Sequence, residues 1–207
     1  MRNIDLSLYL VTDKSSDVEK FLKTIEEAIK GGVSVVQIRE KTSETLDFYN
    51  LALKVKEITT KYNVPLIIND RVDVALAIDA DGVHVGQSDM PCDVTRKLIG
   101  KDKILGVSAA TITEAKKAQE DGADYIGTGA VFPTVTKDDA PSITKQDLKK
   151  VVESINIPVV AIGGINHNNA FELIDTGIAG LSVVSAIMNA ENPKRASEEL
   201  LKIIHKK

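Results

Sequence analysis

Short aliphatic, β-branched runs alternate along the whole chain with segments whose apolar positions recur every three or four residues. LYLVTD (8–13), VSVVQIR (33–39), PLIIN (65–69), GVHV (82–85), ILGVS (104–108), DYIGTG (124–129), IPVVAIG (157–163) and GLSVV (180–184) predict eight strands, being too short and valine-rich for helices. Between them, Phe21, Ile25, Ala28 and Ile29, and likewise Leu51, Val55 and Ile58, mark the apolar faces of helices.

Local punctuation supports the alternation. Ser16 to Glu19 and Thr111 to Glu114 have the form of a capping box, which opens a helix. Gly31, Gly122 and Gly177 stand just before strands, where a helix end accommodates a positive φ. Pro65 and Pro158 open their strands, where a missing N–H does least harm. The eight units average about 26 residues, enough for a helical crossover between parallel strands. The expected fold is therefore α/β, a (β/α)8 TIM barrel occupying 1–207 as a single domain, with the tail Pro193–His205 closing it. A doubly wound open sheet is the competitor. No glycine-rich dinucleotide fingerprint follows the first strand, which runs into Asp13-Lys14-Ser15-Ser16.

Composition narrows the function classes. A net charge of −4 argues against a general nucleic-acid binder, and 4% aromatic residues without tryptophan argue against base-stacking platforms. Cys92, the single cysteine, excludes an internal disulfide framework. The longest charge-free run, 154–171, contains Pro158, Gly163 and Gly164 and cannot span a membrane. A cytoplasmic protein acting on small molecules is expected, with a homo-oligomer left open.

The distinctive polar residues fall at strand C-terminal ends, where barrels keep their chemistry. Strand two ends in Gln37 to Lys41, where alternation puts Gln37 and Arg39 on one inward face, with Lys41 just past the end. Arg39 and Lys41 suit an anion, the alternative being an internal ion pair with a neighbouring aspartate. Asp70 and Asp89 follow strands three and four; they suit a shared Mg²⁺, or they cap the following helices. Ser108 ends strand five. Thr134 and Thr136 before Lys137 suit a phosphate or a solvated loop, and the loop 128–143 has the length of a lid. Strand seven ends in Gly163-Gly164 and strand eight runs into Val184-Ser185 at a helix start, where barrels commonly bind phosphate; a plain Gly-Gly turn is the alternative. His84 reads as a packed strand residue, and Cys92 has no base beside it. The inventory suggests a cationic, metal-assisted diphosphate site next to a mostly neutral monophosphate site. That pairing suits a substitution in which diphosphate departs and a monophosphorylated substrate attacks.

YLVTD (9–13), QIREK (37–41), NDRVDVALAIDADGVHVGQSD (69–89), GVSAAT (106–111), GADYIGTGAVFPTVTK (122–137), VVAIGGI (159–165) and SVVSAI (182–187) resemble the thiamine phosphate synthase family over nearly the full chain. The resemblance implies a (β/α)8 barrel and a transferase of thiamine biosynthesis. It would join a hydroxymethylpyrimidine diphosphate to a thiazole monophosphate, releasing diphosphate through a pyrimidine carbocation. It further implies that Gln37, Ile38, Arg39, Glu40, Lys41, Asn69, Ser108 and Lys137 meet the pyrimidine diphosphate. Of these, Arg39, Lys41, Ser108 and Lys137 would be catalytic. Thr134, Val135, Thr136, Gly164, Val184 and Ser185 would bind the thiazole phosphate, and Asp70 and Asp89 would hold one Mg²⁺. Two rivals are a thiazole tautomerase of the same fold and a non-catalytic phosphate sensor. Neither has a diphosphate to expel, so neither explains the QIREK run, both aspartates and Lys137 together.

Overall fold

The chain order is β1 (Leu8–Val11), α1 (Val18–Lys30), β2 (Val35–Ile38), α2 (Thr45–Lys61), β3 (Leu66–Asn69), α3 (Val72–Ala77), β4 (Gly82–Val85), α4 (Cys92–Ile99), β5 (Ile104–Ser108), α5 (Ile112–Glu120), β6 (Tyr125–Thr128), α6 (Lys145–Ser154) and β7 (Val159–Ile162). A 3₁₀ helix (Ala170–Thr176) then precedes β8 (Gly180–Val183), α7 (Ser185–Met188) and α8 (Pro193–Ile204). The structure is a computed structural model, and it describes residues 4–13, 16–134 and 142–206. Each strand pairs in parallel with the next, and β8 returns to β1 with Leu181 opposite Leu8, closing the expected barrel.

Strands β4 and β5 coincide with the runs GVHV and ILGVS, whereas the other six strands, at four residues each, are shorter than their runs. The ends of those runs leave the ladder to enter loops. Alternation along each strand sorts side chains into two cores. Outward residues such as Leu10, Val36, Ile68 and Leu105 join the helices in the larger one. Tyr9, Val11, Val35, Ile67, Ile104, Tyr125 and Val160 fill the barrel interior in the other. Runs apolar at every position follow from this burial on both faces.

Helix α1 buries Phe21, Ile25, Ala28 and Ile29 as its spacing predicts. Burying side chains such as Phe21 and Ile25 contributes roughly 1.5–3 kcal/mol each. Helix α2 is rotated from the expected face: Phe48, Ala52, Val55 and Thr59 are buried, whereas Leu51 and Ile58 are only partly so. Two local readings are corrected. The first helix is capped by Asp17, which accepts from the Lys20 N–H at 2.9 Å, one residue beyond the box read at Ser16. The box at Thr111 and Glu114 is formed in both directions. Gly31 has φ −85°, and the positive φ falls on Gly32 (+103°). Gly31 lacks a side chain because α8 packs there: a Cβ would strike the Lys194 carbonyl oxygen and lie 2.8 Å from Ser197 Cβ. That close approach also shows how the C-terminal helix seals the barrel against α1.

Candidate active site

The C-terminal ends of the strands surround one cavity of about 490 Å³. Arg39, Lys41, Asn69, Asp70, Asp89 and Ser108 line one side; Thr134, Gly164, Val184 and Ser185 line the other. Residues from most of the strand ends and following loops thus meet in one mouth.

Asp70 is held in the left-handed region at φ 62°, a conformation aspartate tolerates better than most residues. Its N–H donates to the His84 carbonyl oxygen at 2.8 Å, tying the β3 end to β4. Lys41 Nζ donates to its carboxylate at 2.5 Å. The Asp89 carboxylate accepts from the Gly86 N–H at 2.7 Å. Neither aspartate caps a helix: the N-cap positions of α3 and α4 are Arg71 and Pro91, and neither makes a side-chain cap bond. Burial is the largest influence on Asp70 and pushes its pKa up. Lys41 opposes that, and the adjacent Asp89 carboxylate reinforces it. The net shift is upward.

Two like charges crowded together in a partly buried site are a donor set for a divalent cation. No cluster of three or more such ligands occurs among the described residues. Mg²⁺ needs only one or two carboxylates, taking its other oxygens from water and phosphate, so the pair fits. The two cations of QIREK behave differently. Lys41 makes the aspartate ion pair considered above, whereas Arg39 has no carboxylate partner among the described residues. Arg39 is fixed through its backbone, its N–H donating to Thr12 Oγ1 at 3.2 Å.

On the opposite side, Gly163 (φ 102°) and Gly164 (φ 65°) adopt backbone that side chains disfavour. A Cβ on Gly164 would also lie 2.5 Å from the Pro133 carbonyl oxygen. Asn169 Nδ2 donates to the Gly164 carbonyl at 2.9 Å, fixing the orientation of that peptide. The Gly-Gly turn is therefore required by packing as well as available for backbone contact with an anion.

The thiamine monophosphate synthase family model matches residues 8–187, nearly the whole barrel. The chain belongs to that family. A thiamine-phosphate synthase of Methanobrevibacter smithii is 74% identical over 202 residues, covering 98% of this chain and 97% of the relative. One of Alkaliphilus oremlandii is 58% identical, covering 95% of each. A solved thiamine phosphate pyrophosphorylase from Pyrococcus furiosus superimposes with a TM-score of 0.89 at 43% identity, covering 98% of this chain and 97% of that one.

Not every site residue implied by the family resemblance faces the cavity of this thiamine monophosphate synthase family member. The Ile38 side chain is buried in the outer core. Gln37 points inward but beneath the cavity, donating to Tyr9. Glu40 accepts from the Ser43 hydroxyl at 2.7 Å. Val135, Thr136 and Lys137 lie outside the described residues, as does most of the loop read as a lid. Sequence reasoning missed Gln87, whose Nε2 donates to the Ser108 carbonyl at 2.6 Å. It also missed Glu114, which lines the cavity and accepts from the Ala110 and Thr111 N–H groups. The signal for Gln87 was its place in HVGQSD, two residues before Asp89.

Cys92 is set apart from this chemistry. Burial, with Asp121 adding to it, pushes its thiol up to about 11. At pH 8 only about one thiol in a thousand would be thiolate, and the thiolate is the reactive form. Iodoacetamide should therefore label native protein at least about tenfold more slowly than urea-unfolded protein. Equal labelling rates by mass spectrometry would contradict that environment.

Proposed function

We propose that this chain is a thiamine phosphate synthase and that the cavity holds both substrates at once. The observation that supports this best is the division of one mouth into a charged half around Arg39, Lys41, Asp70 and Asp89 and an uncharged half around Gly164 and Ser185. The charged half suits a diphosphate and the neutral half a monophosphate, in line with the relatives' names.

In this reading the pyrimidine methylene–oxygen bond breaks, and the electron pair leaves with diphosphate. The thiazole nitrogen then donates its lone pair to the pyrimidine carbocation, forming the C–N bond of thiamine monophosphate. Arg39 and Lys41 take up charge that develops on the departing oxygens, and Ser108 donates a hydrogen bond to them. Lys137 is assigned the same role. Gly164, Val184 and Ser185 orient the thiazole phosphate through backbone and hydroxyl donors, with Thr134 alongside. Asp70 and Asp89 would hold Mg²⁺, which would supply further positive charge to the leaving diphosphate. No protein nucleophile is needed. Among the described residues no helix is long and apolar enough to cross a membrane, and we assign the enzyme to the cytoplasm.

The direct test mixes purified protein, Mg²⁺ and both phosphorylated precursors, then follows thiamine monophosphate and diphosphate, omitting each component in turn. Formation of both products only in the full mixture is expected. Rearrangement of the thiazole alone would indicate a tautomerase, and tight binding without turnover a sensor. Arg39→Lys should raise KM for the pyrimidine diphosphate about fivefold, because a planar bidentate donor becomes a point charge. Unchanged kinetics for that substrate would remove Arg39 from the diphosphate site.

A further inference from the structure

Below the cavity floor a line of polar side chains crosses the barrel interior, which is otherwise apolar. Gln37 Nε2 donates to the Tyr9 hydroxyl at 2.7 Å, and the Tyr9 and Tyr125 hydroxyls are 2.6 Å apart. Tyr125 lies 3.0 Å from His84 Nδ1, and His84 Nε2 lies 2.9 Å from Ser108 Oγ. Gln37, Tyr9, Tyr125 and His84 are each no more than 8% exposed. A line of this kind, buried in a low-dielectric interior, is costly unless its members satisfy one another.

The barrel makes room for this line. In the strand register, Gly106 of β5 sits between His84 of β4 and Tyr125 of β6. A Cβ at Gly106 would collide with the Tyr125 hydroxyl and His84 Nδ1, so the two rings meet only because β5 has no side chain there. Gly127 leaves similar space, its Cβ position lying 3.1 Å from His84 Cε1.

The first donor sets the direction of the rest. The Gln37 amide N–H donates to the Tyr9 oxygen, and the other polar partner Tyr9 has in the line is the Tyr125 hydroxyl, so the order that leaves no proton idle has Tyr9 donating to Tyr125. Tyr125 then donates to His84 Nδ1, which leaves the imidazole proton on Nε2, pointing at Ser108. Burial holds both phenols above their ordinary range, so both keep the protons this order requires. Ser108 Oγ is thereby engaged as an acceptor, and its own proton is free to turn into the cavity that Ser108 lines.

We propose that His84 is a positioning residue that acts through Ser108, and that the line from Gln37 through both tyrosines fixes its tautomer so that the Ser108 hydroxyl donates into the mouth. The proposal rests on the reading of Ser108 as a donor to the leaving diphosphate. It gives the two buried tyrosines and Gln37 a function without requiring any of them to touch substrate.

Two measurements test it. In ¹⁵N-histidine-labelled protein, the His84 resonances, assigned by their loss in His84→Gln, should report a proton on Nε2 and none on Nδ1; protonation at Nδ1 overturns the direction of the line. The second is a double-mutant cycle between His84→Phe and Ser108→Ala. His84→Phe should lower kcat about fivefold with KM for the thiazole phosphate unchanged, a loss of roughly 1 kcal/mol. His84→Gln, which keeps a donor near the Nε2 position, should recover most of that rate. In the Ser108→Ala background, His84→Phe should cost less than about twofold more. Additive losses would mean that His84 acts on the site by another route and would overturn the proposal. Full activity in Ser108→Ala alone would instead remove Ser108 from the diphosphate site, and the proposal with it. Should His84→Phe fail to fold, the tautomer and the His84→Gln comparison still decide.

Discussion

Replacing Asp70 with asparagine should lower turnover at least about tenfold, some 1.4 kcal/mol in barrier, while leaving the free protein as stable as before or more so. Both halves follow from one geometry. Asp70 and Asp89 face each other in a partly buried corner, and the net upward shift at Asp70 shows that burial and the neighbouring carboxylate outweigh the Lys41 contact. A carboxyl that keeps its proton to higher pH in the fold than in the unfolded chain stabilises the fold only while protonated. That contribution is complete below the ordinary carboxylate pKa and is lost as pH rises through the raised folded value. Asparagine removes the loss and tolerates the positive φ at this position at least as well. It also removes half of the carboxylate pair proposed to hold Mg²⁺, so turnover falls. Steady-state kinetics at limiting Mg²⁺ together with thermal melts of the free protein would check both. Wild-type rates would refute the metal assignment, and a markedly lowered Tm would trace the lost activity to folding instead.

Gly180→Ala should cost about 3 kcal/mol or more, the upper end for overpacking, because the obstacle is backbone rather than a movable side chain. Gly180 faces inward where β8 meets β1, and a Cβ there would overlap the Leu6 carbonyl oxygen and lie 2.9 Å from that of Ser7. The Ser7 carbonyl already accepts from the Leu181 N–H at 3.1 Å, so it cannot move without opening the last seam of the barrel. At this chain length the loss corresponds to a Tm lower by roughly 6–12 °C. Gly100→Ala is the matched control. It has no atom within 4 Å of the new Cβ, only the strain of φ +74° with ψ −173°, a region kept almost entirely by glycine, and should cost about 2 kcal/mol. Urea denaturation of the two variants would separate these effects, and near-equal losses would contradict the seam argument.

The barrel was legible because parallel strands buried on both faces leave continuous aliphatic runs, and because each run is followed by a crossover of helical period. The carboxylate pair and the cations were legible for a related reason: polar residues that interrupt an apolar strand do so at its C-terminal end, as Arg39, Asn69 and Ser108 do. The interior line was not. Tyr9 and Tyr125 stand 116 residues apart, and only the strand register brings their hydroxyls together. Gln37 was read toward the cavity for the same reason: alternation tells which face a residue takes, not how deep it sits. The shifts from Ser16 to Asp17 and from Gly31 to Gly32 are smaller errors of the same origin. In each, a neighbour able to do the same local job took it, and at Gly31 the close packing of Lys194 and Ser197 of α8 gives the reason for a glycine there.

The space shared by Gly106, Tyr125 and His84 carries a consequence for how this interior can change over time. The three positions lie on adjacent strands and fill a single volume, so none is free to vary alone. A larger residue at 106 is tolerable only if 125 or 84 shrinks in the same step or an earlier one. Shrinking either ring first breaks the line to Ser108. Routes to a repacked interior therefore pass through a less active intermediate, and related sequences should vary at these three positions together or not at all.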